Sequence, residues 1–205
     1  MKKYFLNSAF QLRTGWRISL FWVLFLLLGL PLILVFSKVS KLLGLSTTLD
    51  QALQTFAMLM AASSVSFFIL RHVDKRKFQT MGLHVHAHAL SELAHGMLLG
   101  FVILTVSVLI PFAFGQFELR FAELDFTNLL IGLSVNILLF VIVGFNEEVL
   151  FRGYTFQTLI EGIGETPATV LLSVLFGCAH LLNPHTSVLG ITNIILAGIL
   201  LSIAF

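Results

Sequence analysis

The stretch NLLIGLSVNILLFVIVGFNEEVLFRGY, Asn128 to Tyr154, decides how the chain must be read. Its first part is apolar enough to sit in lipid. It then meets two adjacent carboxylates, Glu147 and Glu148, and an arginine, Arg152. A charged side chain at the centre of a bilayer helix costs roughly 2.5–3.5 kcal/mol on insertion scales. Three of them without partners would cost about 8–10 kcal/mol, which rivals the whole stability of an ordinary domain. The group must therefore sit at the membrane edge or be paired inside a wet protein cavity.

Composition supports the lipid reading. Of 205 residues, 58% are hydrophobic and 11% charged, with a mean hydropathy of +0.99. A soluble domain carries about a quarter charged residues. The expected fold class is all-α: a polytopic transmembrane helical bundle of about six spans plus an amphipathic motif helix. It is read as one membrane-embedded domain, residues 1–205, with a motif core over about 144–198. A single cysteine, Cys178, excludes an internal disulfide. The net charge of +2 leaves no nucleic-acid footprint, so the expected partners are membrane lipids and a membrane-associated protein or peptide. The basic, then apolar N-terminus has no small-residue cleavage site after its apolar run and reads as a retained signal anchor.

Hydropathy sets the expected spans at Trp16–Ser37, Leu49–Leu70, Leu93–Phe114 and Thr127–Gly144. A helix with an amphipathic start follows over Glu147–Ile160, stopped by Gly162 and Gly164. Thr166-Pro167 reads as a helix start, an N-cap residue followed by proline at the first helical position. That next helix spans about Ala168–Leu182, and Asn183-Pro184 breaks it. The last apolar run is Val188–Phe205. Lys2, Lys3, Arg13 and Arg17 lie at the head of the first span, and Arg71, Lys75, Arg76 and Lys77 follow the second. The linker after the third span carries Glu118, Glu123 and Asp125 against Arg120. The positive-inside rule then makes the N-terminus cytoplasmic, in the cell membrane, although Lys38 and Lys41 weaken the bias. Four spans would return the chain to the cytoplasmic side near Gly144, beside the glutamate pair.

On a helix, Glu148 and Arg152 are four apart with the acid first, the favoured order for an ion pair. Glu147 is rotated about 100° from Glu148 and points elsewhere. One carboxylate can thus be held by arginine while its neighbour stays free to act as a general base. An acidic helix start can also simply favour the helix dipole; the apolar flanks favour function, because intramembrane ionisable residues mark functional sites. The second feature is FGCAHLLNP, Phe176 to Pro184. His180 shares a helix face with Phe176 and suits proton transfer or metal ligation. Alone, such a histidine is more often a hydrogen-bonded packing residue. Asn183 offers an amide at the same helix end, or just starts the turn with Pro184.

EEVLFR fits E-E-x-x-x-R and FGCAH fits F-x-x-x-H, in that order on successive apolar helices. Together they resemble the CPBP family of intramembrane proteases, also called Abi or CAAX protease-like proteins. That family includes Rce1-type CAAX prenyl endopeptidases and bacterial members tied to bacteriocin immunity. The resemblance is sharpest over about Asn146 to Gly198. It implies that Glu147 activates water, that Glu148 and Arg152 give structural or electrostatic support, that His180 is the partner in water activation, and that Phe176 is the motif aromatic. The family is described both as metal-dependent and as a glutamate protease without metal. A divalent metal such as zinc would take Glu147, Glu148 and His180 as ligands, although no H-E-x-x-H helix is present. The family's further H-x-x-x-N motif, which supplies oxyanion-stabilising groups, is not found. Asn193 lies in the helix that normally precedes it and reads as a packing or pocket-edge residue. The expectation is a C-terminally truncated member. Loss of an oxyanion donor costs about 10²–10³ in rate, so the chain as given is expected to be weakly active or inactive.

Other candidates weigh less. His84, His86, His88 and His95 resemble a metal cluster, but no acid or cysteine completes it, and a solvated linker is favoured. Cys178 and His180 lie on different helix faces, a poor nucleophile–base pair. Lys75 to Lys77 read as anchors at lipid head groups. The functional reading is an intramembrane endopeptidase that cuts membrane-associated substrates, prenylated ones among them. Its alternative is a non-enzymatic membrane protein, an immunity factor or proton-coupled transporter, in which the same residues carry protons. Transport would favour an inverted repeat, and none appears.

Overall fold

Long apolar runs leave the backbone no partner but itself, so the chain folds as helices. A computed structural model describes residues 2–6, 11–82, 86–118, 120, 125–184 and 186–204. In order, the helices are α1 (Lys2–Phe5), α2 (Thr14–Leu42), α3 (Thr47–His72), a 3₁₀ turn (Phe78–Met81), α4 (Ala89–Ala113) and α5 (Phe126–Glu147). A wide π turn (Glu148–Gly153) leads into α6 (Tyr154–Ile163), followed by α7 (Glu165–Ala179) and α8 (Val188–Ala204). Among the described residues there is no strand beyond one isolated bridge, Leu6 to Leu12. His84, Glu123 and Phe205 fall outside the described residues.

Among the described residues, four helical stretches are long and apolar enough to cross a membrane: Thr14–Leu42, Thr47–His72, Ala89–Ala113 and Phe126–Ile163. The chain is thus a multi-pass membrane protein. The expected all-α bundle of about six apolar helices is found, as these four long ones and two shorter ones, Glu165–Ala179 and Val188–Ala204. The fourth span does not end at Gly144. Glu148 and Arg152 pair with each other, and the helical rod continues to Ile163, 38 residues in all. At 1.5 Å per residue a straight rod of that length is about 57 Å, nearly twice a hydrocarbon core of about 30 Å.

The chain forms two units. The first comprises residues 1–83 and 133–205 and holds the core. Within it α2 and α3 run antiparallel, packed through small residues: the space beside Gly29 is filled by Ala61, and Ala57, Ala61 and Ala62 are fully buried. The end of the fourth rod joins them through aromatics. Phe21 meets Tyr154 with ring centroids 5.3 Å apart, and Trp22 meets Phe151 at 5.9 Å. Gly162 does not stop α6; Thr14 packs directly on it, where any side chain would collide. Gly164, at φ +86°, ends the helix by a backbone turn that glycine tolerates. α7 consequently starts at Glu165, one residue before the expected cap at Thr166. Pro167 then falls in the first turn, where a missing N–H costs nothing. α8 lies on α7 through small-residue contacts, Gly177 against Ile195 and Gly198 against Ser173.

The second unit, residues 84–132, carries α4, which has no buried residue. In it His86 contacts Glu92 at 3.1 Å and His95 Nδ1 donates to the Ser91 carbonyl at 2.7 Å.

Candidate active site

α5 delivers Glu147 as its last residue, and the wide turn that follows carries Glu148 and Arg152. A π turn inserts one extra residue into the helical ladder and recurs at functional sites. Here the Thr155 hydroxyl donates to the Leu150 carbonyl five residues back, at 3.1 Å. Gly153 closes the turn, and its missing Cβ leaves the space that Met81 Cε fills.

The two glutamates part company as their spacing predicts. Glu148 Oε1 accepts a hydrogen bond from Arg152 Nη1 at 2.7 Å. Arg152 is 1% exposed, and its guanidinium carbon lies 5.3 Å from the centre of the Phe176 ring, a cation–π distance. Glu147 Oε1 instead faces His180 Nε2 at 3.6 Å. His180 caps α7, and its Nδ1 lies 2.7 Å from the Phe176 carbonyl oxygen. A carbonyl only accepts, so Nδ1 carries a proton, and in the neutral ring Nε2 presents a lone pair to Glu147. The 3.6 Å gap is too long for a direct hydrogen bond, yet one water about 2.8 Å from each atom would touch both.

Depth follows from the helix pairings. Trp22 is five residues beyond Arg17, and Glu147 is four residues beyond the Phe151 that Trp22 meets. At 1.5 Å per residue, Glu147 lies about 13 Å along the helices from the level of Arg17. The glutamates therefore lie within the Phe126–Ile163 helical stretch rather than at its end.

Other candidates are placed as follows. Phe176 is buried and stacks edge-on against both Phe151, at 5.1 Å, and His180, at 4.7 Å. Asn183 is exposed; its backbone N–H donates to the His180 carbonyl and its own carbonyl accepts from Thr186, so it closes the turn. Asn193, expected as a packing or pocket-edge residue, is exposed. The face of α8 that packs on α7 carries Ile191, Ile195 and Gly198, and Asn193 is about 200° around the helix from Ile191. The zinc set of Glu147, Glu148 and His180 is not assembled. Glu148 is turned to Arg152, and no group of three donor residues is poised to hold a metal among the described residues. The same holds for His86, His88 and His95, while Cys178 is exposed.

Three features escaped the sequence reading. Asn146, beside Glu147, is buried with its Oδ1 lacking a partner among the described residues. Met81 is buried against the π turn. Arg17, assigned only to the basic head of the first span, is 6% exposed and donates to Asp74 Oδ2 at 2.6 Å, to Glu161 Oε2 at 2.8 Å and to the Tyr154 hydroxyl at 3.3 Å. Arg76 also pairs with Glu161. The available signal was an arginine inside the apolar run rather than before it.

Residues 129–205 match the family model of the type II CAAX prenyl endopeptidase Rce1-like proteins. No curated protein and no solved structure matches the chain. The matched segment contains Glu147, Glu148, Arg152, Phe176 and His180; the family drawn from EEVLFR and FGCAH is the one whose model matches. At family level this supports a CAAX-type intramembrane protease. Arg17, Asp74 and Met81 lie outside the matched segment.

Proposed function

We propose that the protein is an intramembrane endopeptidase in which Glu147 and His180 activate water against a peptide bond of a membrane-associated substrate. The observation that carries this is the facing of Glu147 Oε1 and His180 Nε2 across 3.6 Å, with His180 fixed by the Phe176 carbonyl. The two acceptors take the two protons of one water and leave an oxygen lone pair for the scissile carbonyl. Glu147, as carboxylate, receives a proton while the water oxygen bonds to the carbonyl carbon. It returns that proton to the leaving amine as the carbon–nitrogen bond breaks. His180 positions the water throughout. Glu148 and Arg152 act on each other, and Arg152 anchors the turn on Phe176. No step runs through a metal.

The basic N-terminal segment and the Arg71–Lys77 loop favour a cytoplasmic position for this side of the bundle, with the protein in the cell membrane. Substrates are then membrane-tethered peptides presented from that side. The test is cleavage of tethered peptides in proteoliposomes, with and without a prenylated cysteine at the tether. Parental protein should release product, and Glu147→Gln should lose about 10³-fold or more while folding normally. A folded Glu147→Gln variant that still cuts at the parental rate removes Glu147 as the base. Equal rates on prenylated and plain peptides would remove the prenyl group from the specificity.

A further inference from the structure

Hydrolysis consumes a water for each bond cut, and Glu147 lies about 13 Å in from the Arg17 level. Two cavities of the first unit share one side chain, and the second reaches the glutamate pair at Glu148. The first, about 140 Å³, is polar and bounded by Arg17, Arg76, Thr80, Tyr154 and Glu161, with Met81 at one wall. It is roomy enough for several waters, each taking roughly 30 Å³ of liquid, and its walls offer donors and acceptors. The second, about 390 Å³, is mainly apolar and bounded by Phe140, Val141, Val149 and Gly153, with Glu148 and again Met81 in its wall.

Met81 is 2% exposed. Its Cε sits 2.5 Å from where a Cβ on Gly153 would be, so the thioether occupies the notch the glycine leaves. The segment that presents it is tied at several points. Asp74 is bonded to Arg17, Arg76 pairs with Glu161, and the Thr80 hydroxyl donates to the Lys77 carbonyl at 2.7 Å. Methionine is unbranched with three rotatable bonds, so it can swing without moving a fixed backbone.

We propose that Met81 is a positioning residue that controls water entry: its side chain separates the ion-lined cavity from the cavity beside Glu148, and water passes when it swings out of the Gly153 notch. The consequence for turnover rests on the protease reading; the passage itself does not.

The test reads the passage directly. In the full chain carrying Cys178→Ser, Val149→Cys puts a thiol in the wall of the second cavity, where Val149 is buried. The protein is held in lipid nanodiscs and exposed to the water-soluble anion methanethiosulfonate ethylsulfonate, with Lys75→Cys as the exposed control. Met81→Ala should speed labelling at position 149 about tenfold or more by shifting the open population, with Met81→Leu near the parental rate and Met81→Phe at or below it. Labelling equal across Met81, Met81→Ala and Met81→Phe, with the control unchanged, overturns the proposal. Met81→Val replaces the alanine variant if that does not fold. Where peptide cleavage is measured in parallel, Met81→Phe should lower kcat with KM unchanged. A change in both with no change in labelling marks a packing role and also overturns the proposal. Labelling that responds in a chain with no proteolysis keeps the passage and removes the protease reading.

Discussion

Two arginines are buried, Arg17 on α2 and Arg152 in the π turn, and they are partnered in opposite ways. Arg17 has all three of its nitrogens engaged, by Asp74, Glu161 and Tyr154. Arg152 has Nη1 on Glu148, while its Nε is buried with no partner among the described residues. Asn146 Oδ1, six residues away in sequence, is in the same condition. Buried polar groups in native proteins are nearly always paired, and each exception asks for an explanation. The Arg17 cluster is closed: it ties the start of α2, the end of α3 and the end of α6, with each guanidinium nitrogen engaged. The Glu147–Arg152–His180 group is open, with a gap sized for a water and donors held in reserve. A saturated charge cluster fixes a fold, whereas an unsaturated one keeps groups available for chemistry.

The comparison breaks most sharply at the open group. Glu147→Gln and His180→Ala should each remove nearly all cleavage of a tethered peptide, about 10³-fold or more, with folded yield near parental. The double variant should fall little below either single one, because groups that share one water fail as a unit. Single-turnover rates in proteoliposomes would measure this. Losses that multiply in the double variant would mean that the two residues act independently, and the shared water would be lost as an explanation.

The closed cluster should answer in stability instead. Arg17→Ala strands Asp74, whose side chain is 5% exposed, while Glu161 keeps Arg76. Removing one partner of a buried pair costs about 3–5 kcal/mol. Arg17→Lys should recover only part of this, since an ammonium cannot reproduce the guanidinium fork toward three partners. Arg152→Ala should cost less, because its partner Glu148 is 40% exposed and can be hydrated. Thermal unfolding in detergent, with monodisperse yield, would rank them. If Arg152→Ala proves the more damaging, the division into a closed structural cluster and an open functional one is wrong.

The sequence reading reached the helical membrane fold because an apolar run has only one way to satisfy its backbone in lipid. It reached the Glu148–Arg152 pair because four-residue spacing survives the wide turn. The π turn itself was not legible: an inserted residue leaves the hydrophobic pattern almost unchanged, and only Gly153 hints at it. The ends of α6 and α7 were misjudged because Gly162, Gly164 and Thr166 are all plausible punctuation. Tertiary contact decides among them, with Thr14 claiming Gly162 for packing. The Arg17 cluster was hidden for a different reason. Its members are far apart in the chain, at Arg17, Asp74, Tyr154 and Glu161, and no local spacing announces a contact over such separations.

The smallest effect is expected where sequence and structure disagree most. Asn183 and Asn193 were credited with amides at the edge of the site, yet both are exposed. Asn183 acts in the described bonds through its backbone, which alanine retains. Asn193 is on the face of α8 turned from α7, where the packing residues Ile191 and Ile195 fix the helix phase. Substitution of exposed residues away from caps and networks usually stays within about 0.5 kcal/mol. Asn183→Ala and Asn193→Ala should therefore leave unfolding temperature and peptide cleavage near parental values, singly and together. An amide that served an oxyanion would behave otherwise, since losing such a donor costs about 10²–10³ in kcat. A loss of that size at either asparagine, with stability intact, would move it into the site and would mean that the open group extends beyond the Glu147–His180 pair.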